Sequence, residues 1–310
     1  MSGNIELGPG REFDAVRRML GIWGDAAGGI GDDAALLDVP PGERLVVSVD
    51  SSVENVHFRR SWLPARAIGW RAVTSALSDL AAMAATPMGI LVSLSLPAEW
   101  HTELEELARG IGEAVVATGT RIIGGDITAA RELTMAITVL GHASAPLTRA
   151  GALPGDTLYV TGVLGGPRAA VAAFERGAEP SAVVRSRFEH PTPRLREALW
   201  LAAHGARAAI DISDGLAGDA AHLAAASGVG IVLQLDDLPT VAGISVVEAV
   251  ASGEEYELLV AAPAIDTSLF ERELGVPLTA IGRVERGAPA VRAWLGGERV
   301  ALTGGFDHLS

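Results

Sequence analysis

Apolar side chains at Phe13, Val16, Met19 and Leu20 fall on one face at helical spacing, and they predict an amphipathic entry helix over 12–20. Glycine-rich sequence from 21 to 31 then leads into Asp32 and Asp33, and 34–39 reads as a short strand closed by the turn Pro40-Pro41-Gly42. The run from Leu45 to Val49 is too continuously apolar for a half-exposed strand, which predicts a strand covered on both faces and delivering Asp50 at its end. An Ala-rich helix follows over 66–85, ended by Thr86-Pro87. Asp79 lies on the apolar face of that helix, nearly in line with Ala72 and Met83 at about 100° per residue. A strand over 89–96, a helix over 103–118 and a short strand over 121–123 come next, the last breaking at Gly124-Gly125-Asp126. A strand over 133–140 ends this alternation, so a first domain spans 1–145.

Turn-forming residues from Leu147 to Asp156 mark the boundary, and a second domain spans 146–310. Its pattern gives a strand over 157–161, a helix over 167–176, and a loop interrupted by Pro180, Pro191 and Pro193. A helix over 194–203 and a strand over 208–212 follow, the strand running into Asp211-Ile212-Ser213-Asp214-Gly215. Ser213 or Asp214 is placed to cap a helix over 216–226. Strands over 231–235, 256–261, 278–284 and 290–294 complete a sheet, with the acidic turn Ser252-Gly253-Glu254-Glu255 before the second of them. The fold class is therefore α/β (α+β) in two domains, a division that suits a length of 310 residues.

Composition removes several chemistries. All 24 basic side chains are Arg, so a P-loop, a protein-kinase strand lysine and Schiff-base chemistry have no lysine to work with. Cys is absent, which excludes thiol nucleophiles and thiolate zinc sites. A formal net charge of -14 repels polyanions, so no nucleic-acid partner is expected. No apolar run reaches the roughly 20 residues of a membrane span, and Met1 to Gly10 lacks the order of a signal peptide. A cytoplasmic location without membrane contact is the expectation.

Asp32, Asp33, Asp50, Asp79, Asp126, Asp211 and Asp214 stand at strand ends, in glycine-rich turns or on an apolar helix face. Converging carboxylates repel one another and take up protons unless a cation lies between them. Mg²⁺ answers that need, because it takes oxygen ligands and bridges carboxylates to substrate phosphates. The seven His residues show no close ligand pair, so the pattern points to magnesium-assisted phosphoryl transfer rather than zinc. Arg149, near the domain boundary, is placed to grip phosphate oxygens or to form a surface ion pair. His57-Phe58 either holds a heterocycle or ends a strand in the core.

Taken in order, these motifs resemble thiamine-monophosphate kinases of the aminoimidazole-ribonucleotide-synthetase superfamily. The resemblance rests on Gly31-Asp32-Asp33-Ala34-Ala35, Ser48-Val49-Asp50 with Glu54 to Phe58, Ser78-Asp79-Leu80-Ala81-Ala82-Met83 and Gly124-Gly125-Asp126. It continues through Thr148-Arg149-Ala150-Gly151 with Pro154-Gly155-Asp156, Asp211 to Leu216, and Gly253-Glu254 with Tyr256-Glu257-Leu258. The resemblance implies N-terminal and C-terminal domains of the synthetase type, pairing of the first domain into a homodimer, and ATP and several Mg²⁺ used without a P-loop. It implies metal and ATP binding in the first domain, and nucleotide and substrate groups completed by the second. The implied reaction transfers the ATP γ-phosphate directly to thiamine monophosphate, giving thiamine diphosphate and ADP.

By the same resemblance, Asp32, Ser48, Val49 through its carbonyl, Asp50, Asp79, Asp126, Asp211 and Asp214 would hold magnesium. Gly125, Asp126, Arg149 and Ser213 would line the nucleotide, and His57, Glu254 and Phe306 would contact the thiamine substrate. The family usually has Thr at Val49, Gly at Asn55, Thr at Ile127, Gly at Ser252 and Asp at Glu255, departures that bear on rate and substrate affinity. Two alternatives stand beside this reading: another ATP-dependent enzyme of the superfamily, or a catalytically weakened nucleotide or thiamine-phosphate binding protein.

Overall fold

The computed structural model describes Asn4, Leu7 and residues 9–302. The chain separates into two compact units, one of Met1–Leu80 with Ala85–Ala145 and one of Ala81–Ala84 with Pro146–Ser310. Among the described residues no helix is long and apolar enough to cross a membrane.

The first unit contains α1 (Arg11–Trp23), β1 (Arg44–Val53), α2 (Ala65–Ala82), β2 (Thr86–Leu96), α3 (Leu104–Thr118), β3 (Ile122–Ala129) and β4 (Thr134–Ala143). Its four-stranded sheet has the order β1-β4-β2-β3. Helix α1 buries Ala15, Met19 and Trp23, and the Trp23 indole N–H donates to the Ala108 carbonyl of α3 at 2.8 Å. Helices α2 and α3 approach at two glycines: a Cβ on Gly69 would stand 2.2 Å from the Leu107 carbonyl oxygen, and one on Gly110 1.8 Å from that of Arg66. Only hydrogen fits at either position, so the interhelical distance is fixed by backbone contact.

Three expectations fail in this unit. Residues 34–39 form no strand, and Leu36 is 96% exposed, so this apolar segment pairs with no sheet among the described residues. Strand β1 is not covered on both faces, since Leu45, Val47 and Val49 are 50%, 54% and 62% exposed. Pairing with β4 sets Ser48 opposite Val139 and Asp50 opposite Ile137 on the helix-covered face, whereas Val47 and Val49 oppose Leu140 and Thr138 on the open face. The apolar run here lies on a sheet surface that the chain's own helices leave open. Finally, Gly124-Gly125 does not end β3, which continues in parallel register with β2 as far as Ala129.

The second unit contains β5 (Thr157–Thr161), α4 (Gly166–Glu175), α5 (Ala182–Glu189), α6 (Leu195–Ala203), β6 (Ala208–Asp211), α7 (Leu216–Ser227) and β7 (Gly230–Gln234). It continues with α8 (Val246–Val250), β8 (Leu258–Ala262), α9 (Thr267–Leu274), β9 (Leu278–Glu285), β10 (Ala290–Leu295) and β11 (Glu298–Val300). The seven-stranded sheet has the order β11-β10-β7-β9-β5-β8-β6. Its core gathers Leu158, Val160, Ile210, Leu223, Ile231, Leu233, Leu259 and Ile281. Helix α5 lies inside the proline-interrupted segment expected as a loop; Ser181 starts it by accepting the Val184 N–H, and Val184 and Phe188 are buried. The α9 and β11 segments also carry structure where none was expected. Asp266 caps α9 by accepting from Leu269 N–H, and β11 pairs antiparallel with β10.

Candidate active site

In the first unit the expected ligand residues fall into two groups. On the covered side, the Ser48 hydroxyl donates to Asp79 Oδ2 at 2.5 Å, which joins β1 to α2. Asp79 is half-buried, so its inward direction is as expected and a hydroxyl is one of its partners. Asp50 follows Ser48 on the same face of β1, and its Oδ1 accepts the Ser51 N–H at 2.8 Å. The Val49 side chain points to the opposite face, but among the described residues β1 is an edge strand that pairs with β4, leaving a row of its backbone groups without a strand partner there.

On the open side, Asp32, Asp33 and Asp126 line a cleft of about 810 Å³ together with Gly125, Leu45, Thr138 and Leu140. Register places Asp126 opposite Ser93 on this face. Asp32 Oδ1 accepts the Asp33 N–H at 2.9 Å, so Asp33 shapes the turn through its backbone. Among the described residues no three His, Asp or Glu side chains gather closely enough to hold a metal unaided.

His57 is fixed by the turn that follows β1. Its Nδ1 accepts the Val53 N–H at 3.1 Å, so the neutral ring carries its proton on Nε2. Asn55 adopts φ 66 in this turn, and its N–H donates to the Phe58 carbonyl at 2.7 Å, a left-handed conformation that Gly or Asn accommodates best. The departure at Asn55 is thereby accounted for. Phe58 is only 2% exposed and packs edge-on against Trp100, with ring centroids 6.4 Å apart, so of the two readings for Phe58 the core contact holds.

The second unit assembles its groups around the end of β6. Asp211 is 4% exposed, and the loop 212–215 leads into α7. Neither Ser213 nor Asp214 caps that helix: Gly215, at φ 119, is the N-cap and no cap side chain bonds there. Instead, Asp219 from the first turns of α7 reaches back and accepts the N–H groups of Asp214 and Gly215 at 3.2 and 3.1 Å. Burial, and then the charges of Asp211 and Asp214, push the Asp219 carboxyl up to about 7. Motif reading of the sequence misses Asp219, whose one signal is its position four residues into a helix that begins at an acidic turn.

The turn 252–257 is laced to this loop. Glu254 N–H donates to the Ser213 carbonyl at 2.7 Å, and the N–H groups of Glu255 and Tyr256 share the Ile212 carbonyl at 3.1 and 3.0 Å. Glu254 and Tyr256 adopt φ 55 and 54, which keeps Tyr256 out of the strand expected to begin there. Ser252 Oγ accepts the Arg168 N–H and Glu255 Oε1 the Gly165 N–H, so both substituted positions serve the start of α4. Arg149 is exposed; its carbonyl accepts from the Ser227 hydroxyl at 2.8 Å, and among the described residues its guanidinium forms no ion pair. Phe306 lies outside the described residues.

Burial pushes the Glu255 carboxyl up to about 7, against the opposing pull of Ser252, Arg187 and the Gly165 N–H. Between the ordinary value of 4.5 and about 7 the native state therefore holds a proton that the unfolded chain has released. The resulting stability is complete on the acid side and declines as pH rises through the folded value. Glu255→Gln removes that loss, and its unfolding free energy should gain on the wild type by up to about 3 kcal/mol between pH 5 and pH 8. Urea unfolding at the two pH values measures it, and parallel profiles would refute it.

Family models for the AIR synthase related protein match at 31–143 for the N-terminal domain and at 154–293 for the C-terminal domain. The two units thus define a protein of the two-domain AIR-synthase-related class. At the level of relatives, the chain is 33% identical over 319 residues to the thiamine-monophosphate kinase of Salmonella typhimurium, covering 97% of this chain and 96% of that one. The chain belongs to the thiamine-monophosphate kinase family. Among solved structures it is similar to the thiamine-monophosphate kinase from Stenotrophomonas maltophilia, with a TM-score of 0.81, 33% identity, and coverage of 93% and 96%. It is also similar to AaThiL complexed with AMPPCP and TMP, with a TM-score of 0.76, 28% identity, and coverage of 96% and 95%.

Proposed function

We propose that this chain is an ATP-dependent thiamine-monophosphate kinase that transfers the γ-phosphate of ATP to the phosphate of thiamine monophosphate. The observation that carries the reading is end-to-end similarity to a kinase of that name together with similarity to a structure holding an ATP analogue and TMP. The first domain, 1–145, supplies metal, nucleotide and dimer-forming groups; the second, 146–310, supplies nucleotide and substrate groups.

The donor set fits Mg²⁺. Asp32, Ser48, Asp50, Asp79, Asp126, Asp211, Asp214 and the Val49 carbonyl offer oxygen alone, the ligand type magnesium takes. Magnesium typically takes one or two carboxylates with water and phosphate oxygens, so pairs such as Ser48 with Asp79 suffice without a three-residue cluster. When bound, Mg²⁺ would offset phosphate charge during transfer. Arg149, exposed and without an ion pair among the described residues, holds phosphate oxygens. Gly125, Asp126 and Ser213 line the nucleotide. His57 donates through Nε2 to the thiamine moiety, and Glu254 and Phe306 orient it. The acceptor is an ionised phosphate, so no general base or covalent nucleophile is required of the chain.

Purified protein with ATP, Mg²⁺ and thiamine monophosphate should form thiamine diphosphate, and excess EDTA should stop it. No product above background would sink the kinase reading. The protein is expected in the cytoplasm as a homodimer joined through the open face of the first domain, where Leu45, Val47 and Val49 remain half or more exposed. Val47→Arg should shift the species seen in sedimentation from dimer to monomer; an unchanged mass would refute that face.

A further inference from the structure

The left-handed turn at Glu254 and Tyr256 is anchored from beneath through two arginines that lie outside every motif described above. Glu255 and Glu257 point inward and are 5% and 1% exposed, whereas Glu254 between Gly253 and Glu255 stays half-buried. Arg194, at the start of α6, clasps Glu257 bidentately: Nε donates to Oε2 and Nη2 to Oε1, both at 2.6 Å. Arg187 of α5 donates through Nη2 to the Val163 carbonyl at 2.6 Å, to Glu257 Oε1 at 3.1 Å and to Glu255 Oε2 at 3.4 Å. Thr161 completes the Glu257 shell at 2.7 Å. Among the described residues the buried Arg187 Nε has no hydrogen-bond partner, so this guanidinium sits where it does at a cost in desolvation.

Arg194 grips Glu257 as a fork and Arg187 bridges Glu257 to Glu255, so the two carboxylates on either side of Tyr256 are held together as in a clamp. Fork-shaped pairs fix direction as well as distance, which a single contact does not. Backbone bonds from Glu254, Glu255 and Tyr256 to Ser213 and Ile212 hold the other side of the turn. We propose that Arg187 and Arg194 are positioning residues for the transfer reaction: through Glu255 and Glu257 they set the turn that aims Glu254 at the thiamine moiety. The inference rests on the reading of Glu254 as a substrate contact.

Arg187→Met and Arg194→Met, with Arg187→Lys as the milder second variant, separate the possibilities. Each Met variant should raise KM for thiamine monophosphate about tenfold, the scale of one lost charge-assisted contact, with KM for ATP changed by less than about twofold. Hydrogen exchange at the amides of Glu254, Glu255 and Tyr256 should speed up, while protection in α7 and β7 stays as in the wild type. Arg187→Lys should fall between. Unchanged exchange at 254–256 in a folded variant overturns the proposal, as does an equal rise in both KM values. Glu254→Gln distinguishes the underlying reading: if it leaves KM for thiamine monophosphate unaltered, the substrate role of Glu254 fails, and the exchange data still decide whether the arginines hold the turn.

Discussion

Asp50→Ala is expected to cut kcat by on the order of a hundredfold or more, with the protein still unfolding cooperatively. Two features set this variant apart from its neighbours. The bond the Asp50 carboxylate makes is a local one, to the N–H of Ser51, so its removal leaves the β1–β4 ladder intact and costs about 1 kcal/mol of stability. Asp79→Ala would be less informative, because it strips the Ser48 hydroxyl of its acceptor and disturbs the junction of β1 with α2. A steady-state assay at saturating ATP and thiamine monophosphate, paired with a melting curve, reads both consequences. If Asp50→Ala turns over near the wild-type rate, Asp50 leaves the metal set and the covered side of β1 loses its claim to the phosphate chemistry.

Much of this arrangement is legible in the amino-acid pattern itself. The period of Phe13, Val16, Met19 and Leu20 marks α1, and β5 begins and ends at Thr157 and Thr161 as its pattern predicts. Failures cluster where a partner or a distant contact decides the outcome. Leu45, Val47 and Val49 read as doubly buried because an apolar run carries no mark of which of its faces the chain's own helices will cover. Residues 34–39 are apolar enough to read as a strand, but none forms there. Helix α5 hides between prolines that lie at its flanks rather than inside it. At the site, motif order singles out Asp211 and Glu254, yet not Asp219, Arg187 or Arg194. Those three act through contacts four to seventy residues away, and a lone Asp or Arg on a helix has no local sign of such a partner.

The paired glycines before Asp126 give the sharpest test of how far such a pattern reaches. On sequence both admit a ligand close to the backbone, but their surroundings differ. A Cβ on Gly125 would lie 2.0 Å from the Val92 carbonyl oxygen, in the middle of the parallel β2–β3 pair, whereas one on Gly124 would meet the end of the Leu91 side chain at 3.1 Å. A side-chain tip can rotate away; a carbonyl held in a ladder cannot move without breaking the register that carries Asp126 opposite Ser93. Gly125→Ala should therefore destabilise the protein by about 3 kcal/mol or more, and Gly124→Ala by less than about 1 kcal/mol. Urea unfolding of the two variants beside the wild type measures the contrast. Equal losses would mean that β3 relaxes around an added methyl group, and Gly125 would then be kept for ligand approach rather than for strand pairing. With the predicted inequality, Gly125 is kept for strand pairing, and through that pairing it fixes where Asp126 stands.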